Sequence, residues 1–560
     1  MAAEYIQGNV VDVKNSIIYA GTLEIVEGKI ASITKDSNTY DKFIIPGFID
    51  AHVHIESSLL TPVEFARLAV VHGTVAALSD PHEIANVLGL RGIDYMVESG
   101  GAAAFKFYFG APSCVPATAF ETSGAVIDTA EIEQLLKAGH IKYLSEVMNY
   151  PGVLNDNPVV LYKISLAKKY AKVVDGHAPG LRGLNCEKYI KAGISTDHEC
   201  VTIEEAIDKL SFGMKIIIRE GSSARNLDTL APLIRDHYED IMLCSDDKLP
   251  DELISGHIND MVKRLFRAGY DKMNVLRAAC VNPVLHYNLD VGLLQVGDPA
   301  DFLIVDDLDN LNVLKTFIDG EVVAQGGVSM IPRRAGVVIN NFNAGRKEPG
   351  DFFFPYRRGK LKVIEAIEGQ LFTNLLYYDV KTLGSVVGSG GAGVAGSAAA
   401  ERDVVSDVER DILKLAVVNR YCDVPPAVGF VKGFGLRRGA IAASVAHDSH
   451  NIVAVGATNE AICQAVNLVI EHRGGLVVVD GGTSGVLPLP IAGLMTDLDG
   501  FEAASAYASI DRLAKGLGTG LTVPFMTLSF MSLLVIPRLK LSDKGLFDVD
   551  SFEFTDAYIA

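Results

Sequence analysis

Two histidines separated by one residue follow an apolar run near the start of the chain. In PGFIDAHVHIES, residues 46–57, His52 and His54 end a run that is typical of a buried strand. Side chains two apart on a strand point to the same side, so both imidazoles can bind one metal ion. In a parallel barrel, the C-terminal strand end opens onto the active site. Two surface histidines on a strand edge are the alternative, and the apolar run before the pair argues against it.

Further groups that can bind metal follow other apolar runs of strand length. They are Glu146 in YLSEVMNYPG, His177 in KVVDGHAPGL, His198 in GISTDHEC and Asp246 in IMLCSDDKLPDEL. Any one of them alone is more often structural than catalytic. Their shared position is the argument, because a metal centre in a barrel requires imidazoles and carboxylates to converge from successive strand ends. Such a ligand set suits Mn, Fe or Zn without choosing among them.

The elements that must position these groups alternate between strand and helix. Helix-like segments such as 158–170 and 203–210 separate the apolar runs, and alternation over about 240 residues predicts a (β/α)8 barrel in an α/β fold. The predicted strands are 43–49, 74–78, 105–109, 143–147, 173–175, 215–218 and 241–244.

The two flanks of the predicted barrel share one pattern. Residues 1–45 alternate apolar and polar positions with turn signals, and a similar pattern returns after residue 290. We therefore expect residues 1–45 and 290–345 to pair into a small β-sandwich domain that brackets a barrel at 46–289.

Residues 346–560 are expected to form an additional C-terminal α/β domain. Its clearest predicted helix is ERDILKLAVVNRY, residues 409–421, and residues 521–536 are interpreted as buried strands, being shorter than the roughly 20 residues that a bilayer requires. The Gly/Ala-rich segment 386–400 formally contains G-x-G-x-x-G, but small residues continue beyond it without an apolar stripe, which favours a flexible loop over a dinucleotide site.

Composition narrows the classes of partner. The 560 residues carry a net charge of −19 and no Lys/Arg cluster longer than a pair, which disfavours nucleic acid. The seven cysteines are widely spaced without a C-x-x-C pair, as expected in a reducing cytoplasm. The N-terminus shows no basic segment followed by an apolar run, so no secretory signal is predicted. We expect no membrane partner.

The motifs together resemble the amidohydrolase superfamily and, within it, the adenine deaminase family. The segments PGFIDAHVHIESSLLTP, SDPHEIANVLG, SEVMNYPGV, DGHAPGL, STDHE and CSDD are similar to that family's segments in the same order, and so are FVKGFGLRRGAIAASVAHDSHNIVAVG and GGTSGVLPLPIAGLMTD. Nearly the whole chain is covered. The resemblance implies a metal shell of His52, His54, Glu146, His177, His198 and Asp246, with Glu146 where many relatives carry a carboxylated lysine.

The resemblance also implies a reaction, the hydrolysis of adenine to hypoxanthine and ammonia in purine salvage. A pair of divalent ions, with Mn or Fe favoured and Zn possible, would lower the pKa of a bound water. Asp246 would accept its proton and pass it to the leaving amino group. A proton donor to the purine ring is expected near the metal, and His82 or Glu83 are the candidates. The capping of a helix by Asp80 and Glu83 is an equally weighted alternative for that segment.

Other residues are assigned around this shell. Asp50 and Asp197 are expected either to orient the metal-binding imidazoles or to cap local structure. The loop AHDSHNI, with His447, Asp448 and His450, is hypothesised to close the barrel mouth. From the apolar content and the resemblance to the family, we expect a homo-oligomer, with a dimer favoured.

Two other functions stay open from the sequence. A guanine deaminase-like or dihydroorotase-like enzyme would use the same metal shell, and SDPHEIAN with the large C-terminal domain favours adenine deaminase instead. A catalytically silent scaffold is the second alternative. The complete set of ligand-type residues argues against it, because an idle site does not need clustered imidazoles and carboxylates.

Overall fold

The computed structural model describes residues 3–387 and 402–559. From residue 388 on, the Gly/Ala-rich segment predicted as a loop lies outside the described residues. The chain begins with strands that form half of a sheet: Glu4–Asp12 (β1), Ile17–Val26 (β2), Lys29–Lys35 (β3) and Phe43–Pro46 (β4).

Eight parallel strands then close into a barrel, which confirms the predicted fold. A backbone hydrogen bond of 3.0 Å from Ser195 to Val174 joins the fifth strand to the sixth, and a parallel bridge between Val53 and Asp246 joins the first to the last. The strands are Phe48–Val53 (β5), Thr74–Ser79 (β6), Lys106–Ala111 (β7), Ile141–Val147 (β8), Val173–Gly176 (β9), Thr196–Asp197 (β10), Lys215–Arg219 (β11) and Ile241–Cys244 (β12).

Helices surround the barrel and begin at recognisable caps. Asp128 and Glu131 form a capping box at one of them, and Asn157 caps another that begins with Pro158. The helices are Pro62–Ala69 (α1), His82–Leu88 (α2), Leu90–Gly100 (α3), Thr129–Lys137 (α4), Tyr150–Leu154 (α5), Pro158–Lys169 (α6), Gly183–Ala192 (α7), Ile203–Ser211 (α8), Leu227–Leu230 (α9), Leu233–Asp236 (α10), Pro250–Leu253 (α11), Ile258–Arg267 (α12), Lys272–Leu276 (α13) and Asn282–Tyr287 (α14).

The two flanks of the barrel share one sheet. Four strands follow the barrel: Phe302–Val305 (β13), Val313–Ile318 (β14), Glu321–Gln325 (β15) and Val328–Ser329 (β16). The sheet order is β16-β15-β14-β13-β4-β1-β2-β3, and β13 runs antiparallel to β4 with Ile304 opposite Ile44.

The C-terminal part is built on a second large sheet, whose neighbouring strands lie in the order 373–379, 360–366, 427–432, 413–418, 452–456, 440–443, 475–480 and 483–488. Within the described residues, no helix of the chain is both long enough and apolar enough to cross a bilayer. The strands are Lys360–Ala366 (β17), Thr373–Asp379 (β18), Ser385–Val387 (β19), Arg402–Val404 (β20), Leu413–Val418 (β21), Ala427–Lys432 (β22), Ala440–Ala443 (β23), Ile452–Gly456 (β24), Gly475–Asp480 (β25), Thr483–Pro488 (β26), Leu539–Ser542 (β27), Gly545–Asp548 (β28), Glu553–Phe554 (β29) and Tyr558–Ile559 (β30), and the helices are Asn459–Glu471 (α15), Gly500–Gly516 (α16) and Pro524–Ser529 (α17).

Two predictions in this part are wrong. The segment 409–421 contains strand β21 and not a helix, because Leu413 and Leu415 pack into one apolar cluster while Ala416 packs into another on the opposite face. The segment 521–536 is buried but forms helix α17 and not strands. Pro524 stands at the first position of that helix, where its missing N–H costs nothing.

Candidate metal centre and substrate pocket

The barrel brings all six predicted metal-binding side chains to its C-terminal end. Each lies at or just after the end of a barrel strand and is buried, the most exposed of them being 7% accessible. His52 is the second-last residue of β5 with His54 just beyond its end, and Glu146 is the second-last residue of β8. His177 follows β9, His198 follows β10 and Asp246 follows β12.

His52, His54 and Asp246 converge on one point. The Nε2 atoms of the two histidines lie 3.1 Å apart, and Asp246 Oδ1 is 3.3 Å from His54 Nε2 and 3.7 Å from His52 Nε2. With metal–nitrogen distances of about 2.1 Å, two ligand atoms of one ion lie roughly 3 to 3.4 Å apart. The spacing therefore fits a bound cation.

Glu146 connects this group to a second pair of imidazoles. Its Oε1 lies 3.6 Å from His54 Nε2, and its Oε2 lies 2.9 Å from His177 Nδ1 and 3.2 Å from His198 Nε2. The two oxygens of one carboxylate thus face two different sets of histidines. This arrangement can hold two neighbouring cations with Glu146 between them.

Burial and the neighbouring charges set the ionisation of these groups. Burial holds the pKa of His52 well below its ordinary value, so its imidazole is neutral and has a free lone pair. Burial opposes ionisation of Glu146, but His177 and His198 outweigh it and hold the pKa of that carboxyl well below the usual range. Burial also opposes protonation of His54, His177 and His198, but neighbouring carboxylates outweigh it and raise the pKa of each imidazole, so a divalent metal would displace their protons on binding.

The pocket above the centre combines barrel residues with the C-terminal part of the chain. Glu83, in the first turn of α2, bonds His447 Nδ1 through one carboxylate oxygen and His450 Nε2 through the other. His82 Nε2 lies 3.4 Å from Glu83 Oε1 and 3.9 Å from Asp448 Oδ1. The side chain of Glu83 therefore does not close a capping box. An apolar wall faces these polar groups, formed by Met148, Leu371, Phe530, Leu533 and Val535.

Of the two roles expected for Asp50 and Asp197, orienting the metal-binding imidazoles or capping local structure, the contacts of both side chains are the structural ones. Asp50 Oδ2 contacts His257 Nε2 at 2.9 Å and accepts from Ser245, while Asp197 accepts from Lys209 at 2.9 Å and from local backbone amides. Both carboxylates point into the barrel wall and brace its strands. His54 is oriented instead by the backbone carbonyl of Asp80, which lies 3.1 Å from its Nδ1.

Two buried residues of the site were missed by sequence reasoning. Arg219, the last residue of β11, donates to both oxygens of Glu199 and to Asp246 Oδ2. Glu199 directly follows His198, so its place beside a predicted ligand was a usable signal. Nothing in the sequence around Arg219 distinguishes it from a surface arginine at a strand end.

Comparison with known proteins identifies the family to which this architecture belongs. The sequence model described as "Amidohydrolase family" matches residues 43–323, and the one described as "Adenine deaminase C-terminal domain" matches residues 394–553. The chain is 53% identical to an adenine deaminase of Sulfurovum sp., over 98% of this chain and 99% of that protein. It is 51% identical to an adenine deaminase of Salinibacter ruber, over 99% of both. The chain belongs to the adenine deaminase family.

Family membership accounts for both halves of the pocket. The amidohydrolase match contains the six converging residues together with His82 and Glu83, and the adenine deaminase C-terminal match contains His447, His450 and Phe530. An amidohydrolase barrel implies a divalent metal, and the cluster of His, Asp and Glu at the barrel mouth is able to hold one.

Proposed function

We propose that the chain hydrolyses adenine, with water, to hypoxanthine and ammonia, as a step of purine salvage. Relatives named adenine deaminase share 44–53% of their residues with it over nearly their whole length. The observation that carries the proposal is the convergence of four imidazoles and two carboxylates on the floor of a pocket that also has an apolar wall.

We further propose that two divalent ions bind at the floor of the pocket, one near His52, His54 and Asp246 and one near His177 and His198, with Glu146 shared. Mn or Fe is favoured by the family resemblance, and Zn suits the same donors. When bound, such ions lower the pKa of a water and polarise the atom under attack. The protein's part is to fix the donors and exclude bulk solvent.

Two residues would move protons. The Oδ1 atom of Asp246 faces the centre, where the carboxylate can accept the proton of the attacking water and return it to the leaving amine. The purine ring needs a donor at a nitrogen, and the pKa directions favour His82 over Glu83. Burial opposes protonation of His82, but Glu83 and Asp80 hold its pKa well above the ordinary value, whereas His447 and His450 hold the pKa of Glu83 well below against burial.

The loop carrying His447, Asp448 and His450 would close the pocket over the substrate. Phe530 stacks on His447 with ring centroids 5.2 Å apart, so the closing loop and the apolar wall support each other. A flat, weakly polar purine ring fits between such a wall and the polar floor.

The cell compartment and the assembly are proposals as well. All seven cysteines are free thiols, which agrees with a reducing cytoplasm. We propose a homodimer that acts on a small molecule and uses neither nucleic acid nor membrane as a partner.

An ammonia-release assay tests the function. The protein reconstituted with Mn, Fe or Zn is offered adenine, adenosine and guanine, and we expect ammonia from adenine alone. Dihydroorotate, whose ring opening releases no ammonia, is tested separately by following loss of the cyclic substrate, and we expect none. Glu146→Gln should lose more than about 100-fold in turnover, while Glu204→Gln, an exposed position on α8, should match the wild type. Turnover of adenosine in place of the free base would refute the substrate assignment.

A further inference from the structure

Arg219 is a buried cation among the acidic groups of the pocket. It is 4% exposed, and within the described residues it is the one arginine or lysine that lines the cavity above the centre. Two nitrogens of its guanidinium donate hydrogen bonds to Glu199, and the bond from Nη2 to Oε2 is 2.9 Å long. From Nη1 it also donates to Asp246 Oδ2 at 2.8 Å. One side chain thus ties the end of β11 to the segments after β10 and β12.

Glu199 has the geometry of a metal ligand, but both of its oxygens already accept hydrogen bonds. Its Oε1 lies 3.6 Å from His177 Nδ1 and 3.4 Å from His198 Nε2, distances similar to those made by Glu146. Donor atoms of His177, His198 and Glu199 lie within 4.8 Å of one another. Both oxygens of Glu199 nevertheless accept hydrogen bonds from Arg219, and a carboxylate held in a bidentate pair with guanidinium is a poor competitor for a cation.

The same guanidinium decides how Asp246 is presented. Because Oδ2 is bonded to Arg219, Oδ1 is the oxygen that faces His52 and His54. Without this bond the carboxylate could rotate and offer both oxygens to a cation. Both oxygens would then be bound to the cation, and the carboxylate would be a weaker base for the proton of the attacking water.

We infer that Arg219 is a positioning residue that limits the ligand set: it keeps Glu199 out of the coordination of the cation near His177 and His198, and it presents Asp246 through Oδ1 only. The inference rests on the proposed function, since it assigns roles around the same centre. It predicts that Arg219 weakens metal binding while it supports turnover. A residue that merely stabilised the fold would support both.

Arg219→Gln separates the two effects. In the Mn-loaded protein we expect turnover of adenine to fall about 100-fold with KM within about threefold of the wild type, because the proton-accepting oxygen is mispositioned. Resistance of the bound Mn to a competing chelator, measured without substrate, should rise at least about threefold, because a repelling charge is gone and Glu199 is free to coordinate. Arg219→Lys keeps the positive charge but loses the two-nitrogen contact with Glu199. Its turnover and its Mn retention should both lie between those of the wild type and Arg219→Gln.

The double variant Glu199→Gln with Arg219→Gln identifies the released ligand. Its Mn retention should return to the wild-type level or below it, while turnover stays low. Arg438→Gln, which removes an exposed arginine paired with Asp480 in the C-terminal part, serves as the control and should change neither readout.

The results that would overturn the role of Arg219 differ from those that would refute the proposed function. If Arg219→Gln loses Mn together with turnover, or changes neither, the inference is wrong. Should Arg219→Gln not fold, Arg219→Lys decides by the same two readouts. If the wild type itself releases no ammonia from adenine, the function is refuted, whereas the chelator measurement still tests the role of Arg219 in metal binding.

Discussion

At the scale of single residues, Glu146 is the point where the two groups of histidines meet. One oxygen faces His54 and the other faces His177 and His198, so a single carboxylate serves both sides of the floor. A lysine in its place would need a further chemical step to offer two oxygens. The glutamate provides them directly, from the end of a rigid strand.

A second residue pair links the barrel to the C-terminal part. His447 bonds Glu83, and burial would lower the pKa of His447, but Glu83 outweighs it and raises the pKa to about 9. We expect His447→Ala to lower turnover about 10- to 100-fold, because Glu83 loses a charged partner and the closing loop loses its contact with α2. Steady-state kinetics with adenine measures this. His472→Ala, at an exposed position after α15, is the control.

Unaltered turnover in His447→Ala would contradict the closing role of this loop. A fall in the His472→Ala control of the same size would show that loss of an imidazole in this region perturbs the protein generally.

The residue types and their positions after apolar runs predicted the groups that converge, since strand ends on one barrel edge must meet. Arg219 could not be found this way, because its function depends on which carboxylates the fold brings beside it. The role of Asp50 was left open between two alternatives for the same reason. Proximity in sequence to His52 says nothing about where the carboxylate turns, and it turns to His257 and Ser245.

At the scale of elements, most barrel strands were predictable and the shortest was not. Strand β10 consists of Thr196–Asp197 alone, too short for any periodicity, yet it positions His198. The C-terminal part was harder. Strand β21 packs against apolar clusters on both faces, so its apolar residues do not alternate with polar ones, and such a run does not separate helix from strand.

The apolar wall of the pocket is fixed from behind by a buried lysine. Lys540, in β27, is fully buried and donates to the carbonyls of Leu371 at 2.8 Å and Phe530 at 3.0 Å. Burial lowers the pKa of Lys540 to about 7. The unfolded chain would hold this proton up to about pH 10, so between these values raising the pH favours the folded state.

We therefore expect Lys540→Met to change the pH dependence of stability. From about pH 7 to about pH 10 the wild type should gain on the order of 3 kcal/mol in free energy of unfolding relative to the variant. Urea unfolding at several pH values measures this difference, with the exposed Lys381→Met as control. Parallel pH profiles of wild type and Lys540→Met would contradict the assignment.

At the scale of the whole molecule, the C-terminal part is joined to the barrel at the mouth. The ring of Phe120, in the loop after β7, lies among Phe547, Phe552 and Phe554 with centroid distances of 4.8, 5.3 and 5.7 Å. Beside it, the backbone of Thr122 donates to an oxygen of Asp543 at 2.9 Å. Because these contacts join the two parts that line the pocket, the site depends on the joint.

We expect Phe120→Ala to weaken this joint by about 2 kcal/mol, the loss of a half-buried aromatic ring with its partners. The midpoint of urea unfolding should fall and KM for adenine should rise, because the pocket is no longer held closed. Phe501→Ala, at an exposed position on α16, should leave both unchanged. If Phe120→Ala behaves like this control, the aromatic contact does not hold the two parts together.

The most direct measurement is an anomalous-difference map from crystals of the protein grown with Mn and recorded at the Mn edge. We expect density within about 2.0 to 2.3 Å of donor atoms from His52, His54 and Asp246 and from His177 and His198, with Glu146 in contact with both positions. Density at some other place, or a map in which Glu146 or Asp246 turns away from the imidazoles, would contradict it.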